Sequence, residues 1–221
     1  MGKKIKLDRI VKAPGHKLAK ELQTFFREHG IFVVNLIGSP GSGKTSLLEA
    51  LAPLLGNRAA VIEGDLATDE DARRLNKLGL RSFQINTVDA CHLDPGMIRD
   101  ALQNMQLDGV ELLFIENVGN LVCPASFNIG EDMKVAVVSV TEGDDKPAKY
   151  PTAIEVSSAM VVTKIDLLPY LKCDVERMKR DARAHRPDIQ CFIVSAQTGE
   201  GVREYLAWME EQAEGALQHQ E

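Results

Sequence analysis

Short apolar runs of strand length alternate with amphipathic runs of helical spacing from Ile31 to the C-terminus. The runs Ile31–Ile37, Ala59–Ile62, Ser82–Asn86, Glu111–Ile115, Val135–Val140, Ala159–Val162 and Cys191–Val194 read as strands. Helical patterns follow at Ser46–Leu51, at 68–77 with Thr68 as cap, at Met97–Met105, at Val175–Ala184 and at Val202–Leu217. Asp69, Glu70 and Asp71 fall in the first turn after Thr68, where the helix dipole favours acids, and Gly79 ends that helix. Several strands are apolar throughout rather than alternating, which predicts burial on both faces. The expected fold class is therefore α/β, a three-layer arrangement with a mostly parallel central sheet and helices on both faces. In such a sheet ligands bind at the carboxyl ends of the strands.

Residues 1–30 read as a short arm and then a helix with Leu18, Leu22, Phe25 and Phe26 on one face and Gly30 as its stop. That helix is expected on the sheet edge or on a second subunit. The rest, 31–221, reads as one domain. Residues 117–132 form a long loop with Gly119, Pro124 and Gly130, a length that signals function.

The eight residues Gly38-Ser39-Pro40-Gly41-Ser42-Gly43-Lys44-Thr45 stand between the first strand and a helix that begins near Ser46. This is a phosphate-binding P-loop: glycines let main-chain N–H groups turn toward a polyphosphate, Lys44 reaches the terminal phosphates, and the Thr45 hydroxyl offers itself to Mg²⁺. Asp65 and Glu116 end the second and fourth strands beside it and are candidate Mg²⁺ carboxylates. Glu116-Asn117-Val118-Gly119 has the spacing of a switch in which the Gly119 N–H senses the γ-phosphate. Glu stands where such switches carry Asp, leaving open whether it meets the metal directly or through water. No side chain is an obvious general base, so slow turnover by positioning and charge neutralisation is expected.

Thr163-Lys164-Ile165-Asp166 follows a late buried strand. A carboxylate at Asp166 matches guanine N1–H and its 2-amino group, and adenine supplies neither donor, which favours GTP over ATP. The Lys164 stem covers the base, and Ser195-Ala196 is expected to support guanine O6 through main-chain N–H groups. Thr163 replaces the Asn that usually opens this motif and is expected to weaken its tether between loops.

Cys91-His92 and Cys123 are candidate ligands: two thiolates and an imidazole suit Ni²⁺ or Zn²⁺, either as an open transfer site or completed across a two-fold axis. Each cysteine alone reads equally as a small buried hydrophobe. Cys173 and Cys191 read as structural.

Composition narrows the partners. The 221 residues carry 26 basic and 32 acidic side chains, a net charge of −6, which argues against a general nucleic-acid or anionic-membrane surface. No apolar run is long enough to span a bilayer. Met1-Gly2-Lys3-Lys4-Ile5-Lys6 lacks the apolar core of a signal peptide, so a cytoplasmic location is expected.

Taken together the motifs resemble a known family, the nickel-incorporation GTPases of hydrogenase maturation called HypB. The resemblance runs from about Ile31 to Gly201 and rests on Gly38–Thr45, Glu63-Gly64-Asp65, Cys91-His92-Leu93, Glu116-Asn117-Val118-Gly119-Asn120-Leu121-Val122-Cys123-Pro124, Glu142-Gly143-Asp144-Asp145-Lys146-Pro147 and Lys164-Ile165-Asp166-Leu167. It implies a GTP-dependent homodimer of the class that holds signal-recognition and cofactor-loading GTPases (SIMIBI), with Cys91, His92 and Cys123 as metal ligands. It further implies delivery toward a hydrogenase large-subunit precursor or a second nickel chaperone. Lys146 is a candidate contact across the dimer and reads equally as a surface charge. Residues 1–30 hold no Cys and only His16 and His29, unlike members with an N-terminal cysteine motif or histidine tract. Two alternatives differ in residues: the urease accessory GTPases follow their metal cysteine with Pro-His, where Ala125 stands here, and a small-molecule kinase usually needs an arginine-rich lid.

Overall fold

The computed structural model describes residues 15–65, 70–87 and 90–218. The arm expected before the first helix and the Thr68 cap lie outside them. In chain order the elements are α1 (Gly15–Glu28), β1 (Phe32–Ile37), α2 (Lys44–Leu55), β2 (Ala59–Asp65), α3 (Glu70–Lys77), β3 (Arg81–Asn86), α4 (Pro95–Leu102), β4 (Leu112–Glu116) and a one-turn α5 (Cys123–Ser126). There follow β5 (Met133–Ser139), short α6 (Lys146–Lys149) and α7 (Pro151–Glu155), β6 (Ala159–Thr163), α8 (Val175–His185), β7 (Gln190–Ile193) and α9 (Val202–Gln218). Among the described residues the strands form one seven-stranded sheet in the order β3-β2-β4-β1-β5-β6-β7. Every pairing in it is parallel.

The sheet divides its side chains by strand periodicity. Phe32, Val34 and Leu36 of β1 face a core closed by Leu47, Leu48 and Leu51 of α2, Leu75 of α3 and Tyr205 and Met209 of α9. Val33 faces the other way, into a core shared with Leu22, Phe25 and Phe26 of α1 and Ile98 and Leu102 of α4. On that same face Ile37, Val138 and Val162 pack with Ile154 of α7 and Met178 of α8. Cys191 and Cys173 are partly buried against this third group. No described helix is long and apolar enough to cross a membrane.

α1 lies over the middle of the sheet and not at its edge: it packs on the central strand β1 and on α4, and its apolar stripe shares one core with Val33 of β1 and Leu113 and Ile115 of β4. The stripe is wide enough to cover a central strand pair, and sequence alone cannot say which strands sit in the centre. Arg27 at the end of α1 pairs with Asp132 at 3.2 Å, and Asp132 accepts the Val33 N–H at 2.9 Å. The segment leading into β5 is thereby tied to α1.

Because β1 and β4 are neighbours, the loops after them emerge side by side. β1 pairs with β4 from Phe32↔Leu112 to Leu36↔Glu116. Gly38 and Asn120 then form an antiparallel bridge, which holds the phosphate loop against the segment after β4.

Candidate nucleotide and metal site

The phosphate loop runs from β1 into α2. Gly43, immediately before the helix, has φ of 92° and a Cβ there would lie 3.0 Å from the Thr163 hydroxyl, so the position takes glycine for both reasons. Lys44 is buried, and its ammonium donates to the carbonyls of Gly38 and Ser39 at 3.3 and 3.2 Å. The Thr45 hydroxyl, at the start of α2, donates to Glu116 Oε1 at 2.9 Å. A hydroxyl and a carboxylate side by side at the mouth of the loop are the oxygen donors Mg²⁺ prefers, so these two residues fit that ion. Asp65 ends β2 as expected, but its side chain lies outside the described residues.

Two adjoining clefts, of about 380 and 420 Å³, open at this end of the sheet. Pro40, Lys44, Thr45, Glu63, Glu116 and Gly119 line the first. Leu47, Thr163, Asp166, Val194 and Ala196 line the second. Gly43, Ser46, Arg74 and Lys164 border both, as a ligand with a polyphosphate end and a base end would require. Arg74 carried no signal in the sequence: its guanidinium is held by Glu49 at 2.7 Å on the adjacent helix.

In the base cleft the Ser195 hydroxyl donates to Asp166 Oδ1 at 2.6 Å and fixes the carboxylate. Lys164 takes the left-handed conformation, φ 60°, and its ammonium donates to the Gly41 carbonyl at 2.7 Å. Two expectations change here. The Ser195 N–H donates to the Glu200 carbonyl at 3.0 Å within its own loop, so it is the hydroxyl of Ser195, bonded to Asp166, and not its main-chain N–H that is turned to the cleft. Thr163 does not weaken the tether: its hydroxyl bonds to the Ser42 carbonyl of the phosphate loop and reaches the Val138 carbonyl at 3.3 Å. β6 lies close enough to the phosphate loop for a short side chain to span the gap. Thr163→Val, which keeps shape and removes the hydroxyl, is expected to cost about 1–3 kcal/mol of stability because the Ser42 carbonyl is left without that bond; Thr163→Ser should restore it. Urea unfolding of the three proteins measures the difference.

The switch segment closes on the phosphate loop. A Cβ on Gly119 would sit 2.9–3.1 Å from Pro40 atoms, so the two main chains touch only because residue 119 has no side chain. Lys146 reaches the same loop within its own chain, 3.1 Å from the Ser39 hydroxyl and 3.2 Å from Glu142.

Cys91, His92 and Cys123 come together at the far side of the switch. Cys91 Sγ lies 3.5 Å from His92 Nδ1, and the Cys91 carbonyl accepts from the Asn120 side chain at 3.4 Å. The Cys123 thiol within hydrogen-bond reach raises the Cys91 thiol above its ordinary value, with desolvation adding to it. A metal ion there would have to displace that proton. The His92 ring stacks on Phe127, centroids 3.9 Å apart and planes 15° apart. The three donors are neighbours short of a closed set: among the described residues no group of three or more His, Cys, Asp or Glu is arranged to hold a metal. Cys91 is exposed, and Val122 (60%) and Phe127 (45%) present apolar surface around it.

Asn117 fell within the switch motif with no task of its own and Asn35 carried none; both are fully buried and bonded to each other at 3.2 Å. A polar residue inside the apolar run of β1 was the available signal.

Residues 32–193 match the family model for the CobW/HypB/UreG nucleotide-binding domain. A hydrogenase maturation factor HypB from Azotobacter vinelandii is 50% identical over 212 residues, covering 94% of this chain and 69% of the relative. The crystal structure of HypB from Helicobacter pylori in complex with nickel superposes with a TM-score of 0.89 at 36% identity, covering 93% of this chain and 97% of that one. HypB from Archaeoglobus fulgidus gives 0.83 at 36% identity, covering 90% and 98%. With the phosphate loop, the switch and the cysteine–histidine loops in the places described, the chain belongs to the HypB family of P-loop nucleotide-binding proteins.

Proposed function

We propose that this protein is a GTP-hydrolysing metallochaperone that carries nickel in the maturation of [NiFe]-hydrogenase, with its nucleotide state coupled to metal binding. The observation that carries the reading is one continuous segment. Glu116 at its start bonds the Thr45 hydroxyl, Asn120 in its middle bridges both Gly38 and the Cys91 carbonyl, and Cys123 at its end neighbours the Cys91 thiol. A change at the γ-phosphate is thus felt at the thiol, and by linkage the metal acts back on the nucleotide. Relatives named as hydrogenase maturation factors, one of them solved with nickel, support the choice of cargo.

In this reading main-chain groups of Gly38–Gly43 and the side chains of Lys44 and Thr45 cradle the phosphates, with Ser46 alongside. Thr45, Glu116 and Asp65 hold Mg²⁺, which neutralises charge on the phosphates when bound, and the Gly119 N–H marks the γ-phosphate. Asp166 and Lys164 receive guanine, with Ser195 and Ala196 behind them. Cys91, His92 and Cys123 bind Ni²⁺, or Zn²⁺ on the same donors. A second copy of the chain, seated on the apolar surface of Val122 and Phe127, completes the coordination, and a hydrogenase large-subunit precursor or a second nickel chaperone takes the ion.

Two measurements test this. Phosphate release is expected from GTP and not from ATP, without any acceptor molecule; release from both at equal rate removes the guanine assignment, and GTP consumed only with an acceptor, its γ-phosphoryl group ending on that acceptor with no free phosphate, turns the protein into a kinase. Ni²⁺ titrated into the GDP form and into the form with a non-hydrolysable GTP analogue is expected to bind with different affinities. Equal affinities and equal thiolate-to-metal absorption in both forms would remove the coupling.

A further inference from the structure

Asn117 follows Glu116 directly and is 1% exposed. Its N–H donates to the Leu36 carbonyl at 3.0 Å. Its side-chain Oδ1 accepts two main-chain N–H groups, those of Leu93 and Val118, both at 3.0 Å. Its Nδ2 donates to Asn35 Oδ1 at 3.2 Å. Asn35 is itself fully buried in β1, three residues before the phosphate loop begins. One carboxamide therefore fastens three segments: the strand that feeds the phosphate loop, the switch, and the loop that carries Cys91 and His92.

Packing alone does not call for an amide here. A buried polar pair replaced on both sides by apolar groups of like shape is nearly neutral for stability, whereas a main-chain N–H such as that of Leu93 must find an acceptor. What the amide adds is position. The Leu93 side chain is wedged against β2, where a Cβ on Gly64 would lie 2.8–3.0 Å from it. Leu93 is thus gripped between β2 and the switch, and His92 is the next residue. A shift of residues 117–119 carries the acceptor of the Leu93 N–H with it.

We infer that Asn117 is a positioning residue, whose carboxamide transmits the state of the nucleotide site to the Cys91-His92 loop and so sets the metal affinity in each nucleotide state. The inference rests on the metallochaperone reading above. Asn117 touches neither metal nor phosphate in this scheme; it acts through the Leu93 N–H.

The test is a Ni²⁺ titration of the full chain with GDP and with a non-hydrolysable GTP analogue, for the wild type, Asn117→Ala, Asn117→Asp and Asn117→Leu. For the wild type the two affinities are expected to differ by a factor within the usual range for coupled sites, about 5- to 150-fold. In Asn117→Ala the ratio should fall severalfold toward one, because the shared acceptor is gone while the Asn120 bond to the Cys91 carbonyl remains. Asn117→Asp keeps that acceptor, and Asn35 Nδ2, which has no hydrogen-bond partner, can turn to donate to the new oxygen. This variant should recover the wild-type ratio, and Asn117→Leu, which keeps the volume but offers the Leu93 N–H no acceptor, should not; a ratio recovered by Leu as well would mean packing alone and overturn the assignment. A wild-type ratio above one that survives undiminished in Asn117→Ala overturns the assignment and leaves the chaperone reading standing. A wild-type ratio of one overturns both. Should Asn117→Ala fail to fold, amide exchange in the wild type decides: protection at the Leu93 N–H is expected to change by about tenfold or more between the two nucleotide forms, and equal protection overturns the inference.

Discussion

Asp166→Asn is expected to invert base selectivity, lowering affinity for GTP and raising it for xanthosine triphosphate, with a combined change of about 10⁴-fold. In the proposed reading the carboxylate accepts from guanine N1–H and from the 2-amino group; xanthine carries an oxygen at that second place, and the Asn amide answers it with an N–H. The size follows from what a partly dry site does to an unmatched polar group, which loses its water without gaining a partner. The surroundings favour a clean result. Ser195 Oγ already holds Oδ1 at 2.6 Å, and the Lys164–Gly41 bond at 2.7 Å fixes the base loop to the phosphate loop. Both survive the substitution if the amide oxygen takes the place of Oδ1. Direct binding of GTP, xanthosine triphosphate and ATP to the two proteins measures the effect. A variant that still prefers GTP over xanthosine triphosphate would mean that guanine is read elsewhere.

Much of this site was legible in the residues because phosphate binding depends on main-chain geometry that only certain sequences adopt. Gly38–Thr45 between an apolar run and a helical pattern is such a sequence, and β1 and α2 lie where the periodicity predicts. The central strands were legible for a different reason: β1, β4 and β6 carry apolar residues on both faces, are too short for helices and are rich in β-branched or aromatic residues. Short elements were not. α6 and α7 span four and five residues and each opens with proline at its first or second position, too brief for any period to show. The side-chain ties were least legible, since each joins segments far apart in the chain. Thr163 meets Ser42 across 121 residues, Asn117 meets Asn35 across 82, and the stacking of His92 on Phe127 joins two loops that only the order of β3, β2 and β4 brings to one end of the sheet. An isolated Thr in place of Asn reads as a loss until its neighbour is known.

Gly119→Ala is expected to lower the rate of GTP hydrolysis by about 10²-fold, the cost typical of misplacing a reacting or stabilising group by about 1 Å. The added Cβ would stand 2.9 Å from Pro40 Cγ, 3.0 Å from Pro40 N and 3.1 Å from Pro40 Cα. Two of those atoms are main chain of the phosphate loop, so no side-chain rotation relieves the contact, and one segment must retreat. The phosphate loop is the firmer of the two, held by the Thr163 and Lys164 bonds from β6 and the segment after it. The switch is the segment that yields, and with it the N–H that the proposed function assigns to the γ-phosphate. The loss should fall on single-turnover hydrolysis more than on GDP affinity, because GDP lacks the phosphate proposed as this N–H's partner. The Gly38–Asn120 bridge lies one residue further on, so the retreat also loosens the Asn120 side chain from the Cys91 carbonyl. Ni²⁺ affinity in the GTP-analogue form should therefore move toward its value in the GDP form in the same variant. Hydrolysis at the wild-type rate in Gly119→Ala would show that the close approach of residues 40 and 119 takes no part in catalysis; slowed hydrolysis with an unaltered nickel ratio would separate the catalytic use of the switch from its use as a lever on the metal.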